Sequence, residues 1–262
     1  MTAEMIAALE RLVAAGQGGA AEAAQVFFRV GAAMAVMPAF GEQMVPMRVR
    51  LALALAFTAV VAPAVSGLLP PLPGVPVAAL GHLMAEVMAG LTLGLALRLM
   101  VIALQVAGTM AAQATSLAAL FGGTVADPQP AIAQLLVLAG LALALAAGLH
   151  VRIAEALILS YAVLPAGRFL AGADLAEWGV AQVARGFSLA FMLAVPFLIA
   201  ATIYNLALGA INRAMPQLMV AFVGAPALTA GGLILLLVSA TSALALWLAG
   251  FDATLADPFG LP

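Results

Sequence analysis

Long apolar runs alternate along the chain with short polar or proline-rich breaks, and the run lengths predict transmembrane helices. A helix needs about 20 mostly apolar residues to cross the hydrocarbon core of a bilayer. Breaks fall at Pro38, at residues 41–46 and in the proline-rich run 69–76, while Pro63 and Pro196 interrupt apolar runs. This pattern predicts an all-α, polytopic membrane protein with about six long, partly broken hydrophobic helices. The predicted spans are residues 22–40, 50–69, 76–107, 131–149 with a continuation to 164, 179–212 and 218–250.

The first 20 residues differ from these runs. Apolar residues at positions 5, 6, 9, 12 and 13 follow a helical period, which predicts a short interfacial helix over residues 4–13. Residues 16–19 are rich in glycine and predict a flexible break after it. Acidic residues near the start, Glu4 and Glu10, do not fit a signal peptide. We therefore expect a single membrane domain over residues 1–262, in which 1–20 form an N-terminal helix and linker.

Composition strengthens the membrane interpretation. The chain is 66% hydrophobic and 8% charged, with a mean hydropathy of +1.21, whereas soluble domains are about one-quarter charged. A net charge of −2 does not suggest nucleic acid as a partner, and the absence of cysteine excludes disulfides and thiolate metal sites. His82 and His150 lie far apart, and no nucleophile–base pattern, phosphate loop or carboxylate pair is present. We expect no enzymatic activity, no cofactor, no metal and no small-molecule ligand.

Basic residues do not assign a membrane orientation. Arg48 and Arg50 fall in the first connection between predicted spans, Arg152 and Arg168 in the fourth, and Arg213 in the fifth. Strict alternation of six spans would therefore place nearly equal numbers of basic residues on the two sides of the membrane. One explanation is a weakly biased topology. The other is that this protein does not end up as an ordinary six-span bundle.

Charged residues inside the predicted spans are candidates for structure or function, because each costs a few kcal/mol at the bilayer centre. Arg29 lies in the first span, Glu86 and Arg98 in the third, and Arg185 in the fifth. Glu86 and Arg98 are twelve residues apart and share a helix face without touching. Arg29 and Glu86 are candidates for an interhelical pair, which the sequence alone does not show, and we favour a structural salt bridge over an ion path.

A polar stripe marks the end of the third span. Gln105, Thr109, Gln113 and Ser116 recur at helical spacing and line one narrow face, which should point to protein or water. Beyond the stripe, the pattern predicts either an ordinary loop or a non-helical segment that faces protein or a wet cavity. An apolar tip and a glycine hinge follow the stripe, formed by Met110, Leu117, Leu120, Phe121, Gly122 and Gly123. Gly90 and Gly94 form a GxxxG spacing, which is weak evidence in a glycine-rich chain.

Several motifs in order resemble the FliR family of flagellar export-gate proteins over nearly the whole chain. They are MPAFG (37–41) after Arg29, VPMRVRLALA (45–54), GLALR (94–98), LQVAG (104–108) leading to Asp127 and Pro128, LHVRIAEAL (149–157), LPAG (164–167), NRAMPQL (212–218) and VGAP (223–226). Met219 departs from the family, which usually has Asn after Pro-Gln-Leu, and the stretch 113–127 is longer and richer in glycine than usual.

The resemblance implies a fold and a function. Helices are expected to pack as hairpins inside a multi-protein channel, and the assembled complex is expected to be a helical stack largely lifted out of the bilayer plane, which would explain the charge distribution. The pore-closing segment of the family lies between the helices that flank residues 110–126. Residues expected to support assembly are Arg29, Pro38, Glu86, Arg98, Asp127, Pro128, Asn212, Arg213, Pro216, Gln217, Gly224 and Pro226.

The stretch 211–226 is expected to form a corner between two long helices. Pro216 cannot donate a backbone hydrogen bond and Gly224 permits a tight backbone, while Asn212, Arg213 and Gln217 can satisfy free carbonyl groups. The alternative is a simple interfacial loop with an arginine that reaches the headgroups.

The expected function is that of a subunit of the flagellar export gate in the bacterial inner membrane, at the flagellar basal body. Its expected partners are FliP-like, FliQ-like and FlhB-like membrane subunits, with transient contact to unfolded export substrates. The alternatives are the equivalent subunit of a virulence secretion system and a small-molecule secondary transporter.

Overall fold

Seven α-helices account for most of the described chain. The computed structural model describes residues 2–42, 45–115, 130–214 and 220–260, with residues 2–17 and 220–226 described by their backbone alone. The helices are α1 (Thr2–Val36), α2 (Met47–Val65), α3 (Pro76–Thr115), α4 (Ala131–Ala146), α5 (Leu149–Val163), α6 (Gly172–Ala214) and α7 (Val220–Ala256), with a short 3-10 helix at Ser66–Leu68.

Proline and glycine set many of the helix ends, as the sequence predicts. The first helix ends at Val36, two residues before Pro38, and Ala39 follows in the left-handed region with a φ of 66°. Pro46 precedes α2 and Pro76 is the first residue of α3, a position where its missing N–H is not needed. Gly148, with a φ of 85°, separates α4 from α5.

The N-terminal region differs from its prediction. Helix α1 runs without interruption through residues 16–19, where the sequence predicts a flexible break after a short helix. Glycine lowers helix propensity by only about 1 kcal/mol per residue relative to alanine, and alanines flank this stretch on both sides. The surrounding helix formers therefore carry the helix through the glycines.

The helices confirm an all-α polytopic membrane protein. Four helices are long and apolar enough to cross a membrane: Met47–Leu68, Pro76–Thr115, Gly172–Ala214 and Ala227–Ala256. Helices α4 and α5, bent by 75° at their break, bring the number to five if they form one broken span. The first predicted span, 22–40, is not among the candidates in the described chain, because its helix ends at Val36 and carries polar residues such as Glu22 and Arg29.

Two compact units make up the chain. Unit 1 contains Met1–Arg98, Gly148–Val180 and Thr254–Pro262, and unit 2 contains Leu99–Ala147 and Ala181–Ala253. Helices α3, α6 and α7 each contribute residues to both units.

Glycines bring α3 against α1 in unit 1. A Cβ atom at Gly90 would collide with the backbone carbonyl oxygen of Arg29, and one at Gly94 would lie 2.6 Å from the carbonyl oxygen of Ala33. The GxxxG spacing that is weak evidence in the sequence is therefore a close helix–helix contact in the structure.

Trp247 organises the core of unit 2. Its side chain is fully buried, its indole N–H donates to the Met100 carbonyl at 2.8 Å, and its ring lies 5.0 Å from that of Phe251. Gly140 faces this ring, since a Cβ there would lie 3.2 Å from it and 2.6 Å from Leu104. Helices α3, α4 and α7 therefore meet at one indole ring.

The glycine contact generates a matched prediction. Gly90→Ala should lower the thermal stability of the detergent-solubilised protein, because the new methyl group meets backbone that cannot rotate away, and overpacking typically costs 1–3 kcal/mol. Gly81→Ala, in the same helix with no atom within 4 Å of a new Cβ, should be neutral or stabilising by up to about 1 kcal/mol. Size-exclusion recovery after heating measures both, and equal behaviour of the two variants would contradict the close contact.

Candidate functional site

A buried ion pair joins α1 to α3 in unit 1. The Arg29 guanidinium donates from Nε to Oε2 of Glu86 at 2.9 Å and from NH2 to Oε1 at 3.2 Å. The two side chains are 1% and 0% exposed, so both charges are withdrawn from solvent. The candidate Arg29–Glu86 salt bridge is present, and its geometry is bidentate, the arrangement that favours arginine over lysine.

Polar groups from a third region of the chain complete this pair. Arg29 also donates to the Ser160 hydroxyl at 3.0 Å and to the Leu164 carbonyl at 2.9 Å. The Gly167 amide donates to Glu86 at 2.9 Å, and the guanidinium carbon lies 3.6 Å from the centre of the Tyr161 ring. All three guanidinium nitrogens therefore have an acceptor. A buried ion pair needs such additional partners to offset the cost of desolvation.

A second hydrogen-bonded pair lies one turn earlier on α3. The His82 Nε2 atom lies 2.9 Å from Oε1 of Gln25, and the Nε2 amide group of Gln25 donates to the Pro70 carbonyl at 3.3 Å. Gly167 has a φ of 73°, and a Cβ atom there would collide with the His82 ring. This pair fixes the proline-rich connection to α1, while the glycine lets the α5–α6 connection pass close to α3.

Arg98 occupies a different environment from Arg29. Its NH1 group lies 2.9 Å from Oε1 of Glu42, and the two side chains are 36% and 37% exposed. Arg50 donates to the backbone carbonyl of the same Glu42 at 2.9 Å. Arg98 therefore has its partner in the half-exposed connection between α1 and α2 rather than in the buried core.

The polar stripe lies near the end of α3 in unit 2. Gln105, Thr109 and Met110 are half-buried and Gln113 is exposed. The Thr109 hydroxyl donates to the Gln105 carbonyl at 2.9 Å, so it is satisfied within its own helix. The remaining residues of the expected pore segment and loop lie outside the described chain: Ser116, Leu117, Leu120, Phe121, Gly122, Gly123, Asp127 and Pro128.

Close backbone contacts anchor the two helices that flank this segment. A Cβ atom at Gly108 would collide with the backbone of Ala133, so α3 and α4 approach closely next to the stripe. A Cβ at Gly232 of α7 would lie 2.7 Å from Cβ of Thr115, the last residue of α3. The chain therefore enters and leaves the segment 116–129 from tightly packed helices.

The stretch 211–226 is only partly described. Asn212 and Arg213 are exposed in the last turn of α6, where a basic side chain complements the helix dipole. Pro216 and Gln217 lie outside the described residues. Helix α7 begins at Val220.

Gly224 and Pro226 therefore stand inside the first turns of α7, and the expected corner does not extend to them. The break between α6 and α7 lies between Ala214 and Val220 instead.

Sequence reasoning missed several contributors to the ion pair. Ser160, Tyr161 and the Leu164 carbonyl contact Arg29, yet no periodic signal connects them with α1. The only sequence clue was that Ser160 and Tyr161 are adjacent polar residues within an otherwise apolar run. Among the described residues, no group of three or more His, Cys, Asp or Glu side chains could hold a metal ion.

The sequence of the chain is similar to a family of known proteins. Residues 20–254 match the model of bacterial export proteins, family 1. The chain is 35% identical over 227 residues to the flagellar biosynthetic protein FliR of Caulobacter vibrioides, covering 86% of this chain and 90% of that protein. It is 32% identical to the protein of the same name from Pectobacterium carotovorum, over 76% and 77% of the two chains, and 30% identical to that of Aquifex aeolicus, over 81% and 83%.

The family match includes both members of the ion pair, the polar stripe and the glycines that bring the helices together, and it confirms the resemblance drawn from the sequence motifs. The chain belongs to the FliR family of bacterial export proteins.

Proposed function

We propose that this protein is a subunit of the flagellar protein export gate and forms part of the channel that passes unfolded flagellar proteins across the inner membrane. The observation that carries the proposal is similarity over most of the chain to proteins named for flagellar biosynthesis, at 30–35% identity. These names do not favour the virulence alternative. Binding and gating, rather than bond chemistry, are the proposed work of the chain.

Helix length supports an assembly role over a compact transporter. Helices α3 and α6 contain 40 and 43 residues, which corresponds to about 60–65 Å at 1.5 Å per residue. The hydrocarbon core of a bilayer is only about 30 Å thick. Such helices extend well beyond one bilayer, so part of their apolar surface must be covered by something other than lipid.

Large apolar side chains are exposed on α6 and α7. On α7, Leu237 and Val238 are 80% and 75% exposed, and on α6, Leu206 is 70% exposed. Large exposed apolar side chains in a membrane protein are available for contact with lipid or with other proteins. The proposed partners are FliP-like, FliQ-like and FlhB-like membrane subunits at the flagellar basal body.

Copurification tests the proposed function. A tagged copy expressed from its native locus should bring the other gate subunits with it, and deletion of the gene should give cells without flagella, restored by the tagged copy. The isolated chain should be poorly stable in detergent, because apolar surface that partners cover is then exposed. A stable, monodisperse monomer, together with normal flagella in the deletion strain, would instead favour the transporter alternative.

The ion pair should be essential for assembly, and the half-exposed pair should not. Arg29→Met leaves the Glu86 carboxylate buried without its partner, a change that typically costs about 3–5 kcal/mol, so the yield of assembled complex should fall severely. Arg98→Met provides the matched control, because exposed ion pairs contribute only about 0–1 kcal/mol.

A double variant separates charge from packing. Arg29→Met combined with Glu86→Leu removes both buried charges and should recover part of the yield lost in Arg29→Met alone. Recovery should be incomplete, since the Leu164 carbonyl and the Gly167 amide also lose their partners. Equal yields for Arg29→Met and Arg98→Met would show that burial of the charge does not matter for assembly.

We also propose that residues 110–126 close the channel. Support comes from the helical stripe that leads to the segment, from the apolar residues Leu120 and Phe121 within it, and from the packed helices on either side. Apolar side chains can close a pore by excluding water. The paired glycines Gly122 and Gly123 would let the segment move aside.

Conductance measurements test the closing segment. Changing Leu120 and Phe121 to serine, or deleting residues 117–123, should let ions or small dyes leak through assembled complexes. Changing Leu135 and Leu138, which are exposed on α4, to serine gives a matched control outside the segment. An ordinary connecting loop would leave conductance unchanged in complexes shown to be intact.

A further inference from the structure

The residues that follow α7 fold back against the start of α6 in unit 1. Pro258 and Phe259 are buried, Phe259 to 4% exposure, although neither belongs to a helix. The Trp178 indole N–H donates to the Pro258 carbonyl at 3.1 Å. These residues lie beyond 254, where the match to the export-protein family ends, so family membership does not account for their packing.

Phe259 is buried beside a small cavity whose other walls come from three parts of unit 1, and we call these walls its seat. Thr92 comes from α3, Leu164 and Leu170 from the connection between α5 and α6, and Trp178 from the first turns of α6. The cavity that remains beside Phe259 has a volume of only ≈ 10 Å³. A space of this size is at the lower limit for a single water molecule, so little room remains between Phe259 and its seat.

The turn that presents Phe259 is held locally. The Gly260 amide donates to the Asp257 side chain at 2.9 Å. Gly260 has a φ of 32°, in the range that favours glycine. An Asp side chain that accepts a hydrogen bond from a nearby backbone amide stabilises a turn without help from a helix or strand. Residues 257–260 therefore have their own defined conformation.

We propose that residues 257–260 act as a latch that fastens the exit of α7 to the entrance of α6. Phe259 fills the seat, and the hydrogen bond from Trp178 sets the position of the backbone. Helices α6 and α7 follow one another in the chain, and most of each belongs to unit 2. The latch therefore holds the start of α6 and the end of α7 together in unit 1. The proposal concerns the fold of the chain and does not depend on the export function.

Fluorine NMR can observe the latch directly, because the chain contains only two tryptophans, one in each unit. The full chain, labelled with 5-fluorotryptophan and solubilised in detergent, should give two resonances, and Trp178→Phe assigns them by removing one. The Trp247 resonance reports whether the core of unit 2 stays folded in each variant.

Phe259→Ala empties the seat and should shift the Trp178 resonance while leaving the Trp247 resonance in place. Phe169→Ala is the matched control: it removes the same aromatic ring from a residue in the same unit that is 56% exposed, and it should shift neither resonance. Phe259→Leu keeps an apolar group in the seat and should shift the Trp178 resonance less than Phe259→Ala does.

Three outcomes would overturn the latch. An unchanged Trp178 resonance in Phe259→Ala would show that Phe259 does not pack against this indole. An equal shift in Phe169→Ala would show that the indole responds to any loss of an aromatic ring nearby. If Phe259→Ala loses both resonances through unfolding, Phe259→Leu decides the matter, and a Trp178 resonance at its original position in that folded variant would equally reject the latch.

Discussion

The burial of one guanidinium group constrains most of unit 1. An arginine cannot remain charged inside an apolar protein unless its nitrogens find acceptors and its charge finds a counter-charge. Arg29 meets both requirements through Glu86 of α3, through Ser160 of α5 and through the carbonyl of Leu164. The need to satisfy one side chain therefore brings α1, α3 and the end of α5 to the same place.

Glycine makes that convergence sterically possible. Helix α3 carries no side-chain atoms at Gly90 and Gly94, where it faces the backbone of α1, and Gly167 leaves room for the His82 ring. Close backbone approach increases van der Waals contact between helices, which is the main attraction available where lipid is as apolar as the protein. The same device recurs in unit 2 at Gly108, where α3 meets α4, and at Gly140, which faces the indole of Trp247.

The buried cores and the exposed faces of the long helices differ in character. The core of each unit is closed by hydrogen bonds from buried tryptophan and arginine side chains, whereas α6 and α7 present large apolar side chains outward. The helices are longer than a bilayer is thick, and the proposed contact with other export subunits would cover part of this outward surface.

The sequence by itself determined the membrane class and many of the helix ends, because hydropathy and proline are local signals that act wherever the chain folds. Isolated charges within apolar runs marked Arg29 and Glu86 as candidates for a pair, but only the tertiary structure joined them. It did not predict the continuity of α1 through its glycines, the helical placement of Gly224 and Pro226, or the half-exposed partner of Arg98. Only the tertiary structure decided that Glu42 meets Arg98, that Trp247 meets Met100 and that Phe259 returns to Trp178. Each of these contacts joins parts of the chain that are at least 56 positions apart. No local period records such a contact, since it depends on where two distant backbones come together.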